Sequence, residues 1–118
     1  MSDRPAAVVA YMPPTDLRGM TGPSDAFPAL DFPADQAASV SPIDYVSSDD
    51  PPVLLIHGDK DMLVPIAHSE KIHAALKKAN VETELLVIEG GGHGLFPGDS
   101  GKRAGDALVS WFANQTPL

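Results

Sequence analysis

Cysteine is absent, which excludes a disulfide framework, a thiolate nucleophile and a cysteine-ligated zinc site. Its absence leaves the compartment open. Basic side chains are scarce: 8 Lys and Arg stand against 16 Asp and Glu, a formal net charge of −8. Nucleic acids and anionic membranes are bound through basic patches, so this balance argues against both and reads most simply as solubility. No apolar run approaches the roughly 20 residues that a membrane-crossing helix needs. The N-terminus does not read as a secretory leader either, because the apolar stretch between Ala6 and Tyr11 is too short. What is present suffices for one domain. A chain of 118 residues with 43% hydrophobic content can build one modest core. At that size it hides only about two-thirds of its unfolded surface, so moderate stability is expected.

The run Ala6-Ala-Val-Val-Ala-Tyr11 is continuously apolar and predicts a strand buried on both faces, stopped by Pro13-Pro14. Residues 13–52 hold 8 of the 12 prolines and cannot form one long helix or a sheet. A short helix is expected from Pro33, at its first position, to Ala38. Phe27, Leu30, Phe32, Ile43 and Tyr45 are spaced along this excursion like anchors, which suits an ordered, lid-like cap better than a loose linker. A second buried strand is Pro52-Val-Leu-Leu-Ile-His57, ended by Gly58. A helix is predicted over residues 66–79, started by Pro65 and stopped by Asn80. Its apolar stripe is Ile72, Ala75, Leu76 and Ala79, with Lys77 and Lys78 at the negative end of its dipole. Thr83-Glu-Leu-Leu-Val-Ile88 is a third strand, ended by Gly90-Gly-Gly92. The last helix is predicted over residues 102–114, capped by Asp99 or Ser100, with Ala104, Ala107, Leu108, Trp111 and Phe112 inward. Strands alternating with helices imply an α/β fold with a parallel sheet.

Two loops carry the candidate chemistry. Asp61 follows the second strand in Val53-Leu-Leu-Ile-His-Gly-Asp-Lys-Asp61-Met-Leu-Val-Pro65, and His93 follows the third in Gly90-Gly-Gly-His93-Gly94. In open parallel sheets, chemistry gathers at the carboxyl ends of the strands, so both loops should open on one rim. A carboxylate there can accept the Nδ1 proton of a histidine, fix its tautomer and steady the imidazolium, while Nε2 faces a hydroxyl. Taken alone, Asp61 reads more simply as a turn former or helix cap. His57 and Gly58 read as a tight-turn pair, and Asp59 as a solvated turn carboxylate. His68 and His73 do not share a helix face cleanly and read as solvent-exposed. A metal cluster of His57, Asp59, Asp61 and His93 has the simpler explanation of an acid and a base. No cofactor and no metal are expected.

The segment from Pro52 to Gly94 resembles the C-terminal portion of the α/β-hydrolase superfamily. Acetyl-esterase and feruloyl-esterase-like enzymes are the nearest likeness, and the prolyl-oligopeptidase-like branch is a more distant one. Ser41-Pro-Ile-Asp-Tyr-Val-Ser-Ser-Asp-Asp-Pro-Pro52 resembles the entry to that family's seventh strand. Residues 6–17, including Tyr11-Met-Pro-Pro-Thr-Asp-Leu17, resemble its sixth strand and the following turn. The resemblance implies a partial α/β-hydrolase fold, three parallel strands flanked by helices. It also implies that Asp61 is the triad acid and His93 the triad base of a serine carboxylic ester hydrolase, with a small ester as substrate.

The nucleophile of that family sits in a Gly-x-Ser-x-Gly turn, and no such motif occurs in these 118 residues. Nor is the family's oxyanion hole recognisable. The family order of serine, acid, base puts the expected serine before Met1. The chain alone is therefore expected to be inactive. A first strand without its family neighbour would leave an edge between Ala6 and Tyr11. The expected partner is a second copy, most simply a two-fold dimer pairing through that edge, or a missing N-terminal half. The alternative is a non-catalytic half-fold that dimerises and binds a ligand or partner.

Overall fold

The computed structural model describes residues 4–94 and 96–115; Met1 to Asp3, within the stretch weighed above as a leader, lie outside them. Three strands form one parallel sheet in the order β1-β2-β3: β1 is Val8–Tyr11, β2 is Val53–Gly58 and β3 is Thr83–Ile88. Val8 pairs with Val53, which in turn pairs with Thr83, so all three strands run toward the same rim.

Side-chain alternation along the strands sorts the core onto two faces. On one, Leu54, Ile56 and Ile88 cluster with Phe96 and with Ala104 and Trp111 of helix α3, Gly98–Gln115. On the other, Leu55 shares a groove with Val8, Ala10 and Val53, walled by Ile72 and Leu76 of helix α2, Ala67–Lys78. The central strand β2 is accordingly buried from Leu54 to Gly58. Edge strand β1 differs from expectation: all four of its residues are only half-buried. It has one strand neighbour among the described residues, and its groove face is partly open.

The excursion over residues 13–52 holds short turns of helix: Pro28–Leu30, Ala34–Gln36 and Pro42–Tyr45 in 3-10 geometry, with one α turn, α1, at Ala37–Val40. Pro33 stands just before this run, in extended geometry, and not inside its first turn. Polar bonds tie the excursion down, and Phe27, Leu30, Phe32 and Ile43 along it are half-buried. Buried Ser41 Oγ accepts from Leu17 N at 2.8 Å and donates to Ala37 O at 2.7 Å. Tyr45 is 63% exposed and does not act as an apolar anchor.

Helix α2 ends as its sequence suggests, with Asn80 in the left-handed region at φ 64°. Helix α3 begins at Gly98, four residues before the expected start, so Asp99 and Ser100 lie in its first turn and are not caps. Ala104 and Trp111 face inward as predicted, whereas Phe112 is 37% exposed.

Candidate functional site

The loops after β2 and β3 are stitched together by backbone groups. Asp59 N donates to Ile88 O at 3.1 Å, and Lys60 N donates to Gly91 O at 2.9 Å. The Asp59 carboxylate, read above as merely solvated, accepts from Gly90 N at 2.7 Å across the gap. Glycine at position 58 permits this approach, since a Cβ there would lie 2.1 Å from the Gly91 carbonyl oxygen. Two loops whose bonded residues are 31 apart in the chain thus share one rim.

Asp61 and His93 meet on it. His93 Nδ1 donates to Asp61 Oδ2 at 2.9 Å. The Asp61 side chain is fully buried and that of His93 is 36% exposed, so the pair runs from the interior outward. The other oxygen, Oδ1, accepts from Leu63 N at 2.9 Å and Val64 N at 2.8 Å. Turn former and acid were alternatives in the sequence; here one oxygen of the carboxylate closes the turn and the other pairs with His93. Burial pushes the Asp61 pKa up, but the bonds from Val64, His93 and Leu63 and the nearby imidazole outweigh it, holding the carboxyl below its ordinary value of 3.8.

Several contributors were not legible in the sequence. His57 is no simple turn residue. It is fully buried, with Nε2 2.7 Å from Val64 O and 3.3 Å from Asp61 Oδ2, and Nδ1 2.7 Å from Ser69 Oγ. Met12, at φ 50°, closes the rim from the β1 side: its N donates to Ile56 O at 2.8 Å and its Sδ accepts from Gly94 N at 3.0 Å. Neither role has a local signature, because each partner lies on another element. His68 was expected in solvent. Instead its Nδ1 accepts from Thr15 N at 3.1 Å and Asp16 N at 3.3 Å, and its carbonyl accepts from Thr15 Oγ1 at 2.7 Å. Burial lowers its pKa from 6.5, the chief opposing influence being the Asp16 carboxylate. Among the described residues, no three His, Asp or Glu side chains are grouped to hold a metal ion.

Residues 2–117 match the prolyl oligopeptidase family. The chain is similar to the uncharacterized peptidase YuxL of Bacillus subtilis, 34% identical over 76 residues, 61% of this chain and 11% of that protein. It is also similar to Esterase LipQ of Mycobacterium tuberculosis, 47% identical over 45 residues, 38% of this chain and 11% of that protein. Among solved structures, a truncated carbohydrate esterase from gut microbiota superposes with a TM-score of 0.79 at 28% identity, covering 96% of this chain and 43% of that one. An acetyl ester-xyloside bifunctional hydrolase from Caldicellulosiruptor lactoaceticus gives 0.71 at 25%, covering 94% and 43%. The chain therefore spans less than half the length of these relatives. Its three parallel strands and flanking helices are a partial α/β-hydrolase fold, corresponding to the C-terminal portion of such esterases.

Proposed function

Because the chain belongs to the prolyl oligopeptidase family, we propose that it supplies the acid and base of a serine carboxylic ester hydrolase. Asp61 is the triad acid and His93 the base. The observation that supports this is the 2.9 Å bond between His93 Nδ1 and Asp61 Oδ2 at the carboxyl ends of adjacent parallel strands. With Nδ1 so occupied, Nε2 is the nitrogen that takes the proton of a serine hydroxyl as that oxygen attacks the ester carbonyl. It returns the proton to the departing alcohol, and repeats the cycle with water to release the acid. The buried carboxylate steadies the imidazolium that forms in each half.

The serine and the oxyanion donors come from outside these 118 residues, since no Gly-x-Ser-x-Gly occurs in them. The chain by itself gives no turnover above buffer. An ester is favoured over a peptide as substrate by the likeness to esterases of known structure at 25–28% identity.

The test joins residues 1–118 to the serine-bearing portion of an esterase of the same fold. The expected chimera hydrolyses p-nitrophenyl acetate, and Asp61→Asn or His93→Ala abolishes most of that rate. A folded chimera whose serine reacts with a fluorophosphonate, yet whose rate ignores both substitutions, refutes the assignment. Robust hydrolysis by the unjoined chain, lost in His93→Ala, refutes the need for outside groups.

The second reading, a dimerising half-fold, draws on the β1 edge. Val8 N and Met12 N donate toward β2, to Pro52 O and Ile56 O. In a parallel ladder the alternate residues, Val9 and Tyr11, then direct their backbone groups away from β2. That edge adjoins the apolar groove of about 350 Å³ lined by Val8, Ala10, Tyr45 and Leu55. A second copy pairing antiparallel along β1 would continue the sheet and cover both.

A further inference from the structure

Among the described residues, the mechanism above leaves one buried titratable side chain unused. His57 transfers no proton in it, yet its ring lies against the acid. We infer that His57 is a positioning residue for Asp61, held in a single tautomer by the Val64 carbonyl and oriented by Ser69. The inference takes its meaning from the reading of Asp61 and His93 as acid and base.

The tautomer follows from the partners. Val64 O can only accept, so Nε2, 2.7 Å away, carries the proton. In the neutral ring Nδ1 is then an acceptor, and its partner at 2.7 Å, Ser69 Oγ, is the donor. Ser69 is completely buried in α2 and has no solvent to turn to. The orientation of the whole ring is thus set from the helix side.

The consequence reaches the site through the turn 61–64. Val64 donates its N–H to Asp61 Oδ1 at 2.8 Å and accepts from His57 through its carbonyl. His57 Nε2 is also 3.3 Å from Asp61 Oδ2. The imidazole therefore touches both ends of the turn and closes a ring: carboxylate, Val64 peptide, His57, carboxylate. Oδ2, which receives the His93 proton, is confined between two imidazoles. An apolar residue of similar shape would fill the same space without closing this ring, so shape and positioning can be separated.

Nuclear magnetic resonance on the full 118-residue chain tests this. With ring nitrogens labelled and pH above neutrality, His57 is expected as the Nε2–H tautomer, and His93 as a downfield, slowly exchanging Nδ1–H. His57→Phe, checked for cooperative melting, is expected to lose the His93 Nδ1–H signal to solvent exchange. His57→Gln, which keeps an N–H near the Nε2 position, is expected to retain it. A folded His57→Phe that keeps the signal overturns the inference. If that variant does not fold, the wild-type tautomer and His57→Gln decide: an Nδ1–H form of His57, or loss of the signal in the glutamine variant, overturns it. Absence of the His93 signal in the wild type removes the acid–base pair itself, and this inference with it.

Discussion

Replacing Asp61 with asparagine removes one charge from the point where the rim is assembled. The carboxylate accepts from Leu63 N, Val64 N and His93 Nδ1 at 2.8–2.9 Å, with His57 Nε2 at 3.3 Å. Asparagine keeps one accepting oxygen. If that oxygen serves the turn, its NH2 faces the N–H groups of two imidazoles, donor against donor. If the amide flips, the turn loses its acceptor instead. Hydrogen bonds to a charged group contribute about 1.5–3 kcal/mol each. Part of that loss is offset because a buried charge no longer has to be desolvated. The net cost is about 2–4 kcal/mol, which for a chain of this length lowers Tm by roughly 10–15 °C. Thermal unfolding followed by circular dichroism at pH 7 reads it directly.

The pH dependence gives a second arm. The folded pKa of Asp61 is depressed, so its contribution is fully present above the unfolded carboxylate pKa and is lost as pH falls through the folded value. The gap between wild type and Asp61→Asn should be widest near neutrality and narrow as pH falls below 3.8 and through the folded value. Equal melting temperatures at pH 7, or a gap that stays constant into acid, would refute the claim that the ionised carboxylate holds the loop.

Two further outcomes are expected. Protonating His68 at Nδ1 breaks its bonds from Thr15 and Asp16, and burial has lowered its pKa below 6.5, so stability present above that value is lost as pH falls through the folded pKa. Asp16, Lys71, His57 and Asp61 are the charged and titratable groups that act on it; His68→Asn, which keeps an acceptor but takes no proton, should flatten the decline by about 0.5–1.5 kcal/mol, read by urea unfolding between pH 5 and 7. If β1 edges pair, static light scattering should give twice the 12.4 kDa chain mass, and proline at Val9, whose backbone N–H is directed away from β2, should halve it; a monodisperse monomer at high concentration counts against edge pairing.

Much of the fold was legible because its signals are local. The third strand matches its expected bounds from Thr83 to Ile88, since an apolar run between a turn and a glycine cluster has few other uses. Pro65 and Asn80 bracket α2 closely for the same reason, one fixing φ and the other tolerating a left-handed end. The start of α3 was missed because Gly98 and Gly101 are poor helix formers, whereas the structure sets Gly101 against the Phe96 backbone, where a Cβ would lie 2.1 Å from the carbonyl oxygen. The half-exposure of β1 was not legible in its apolar run, which carries no record of how many neighbours a strand has; the expectation of an open edge there came only from the family resemblance.

At the site the division is similar. Asp61 and His93 announced themselves because glycine-rich turns and polar residues at strand ends are visible in one dimension. Their 2.9 Å contact, the stitching of Asp59 to Gly90, and the placing of His57 between Ser69 and Val64 were not. A side chain's residue type and its place along a strand are properties of the chain, so sequence alone determined which elements form and which groups end each strand. Which oxygen faces which proton depends on the register of two parallel strands and on a helix packed across them, and only the tertiary structure decided it.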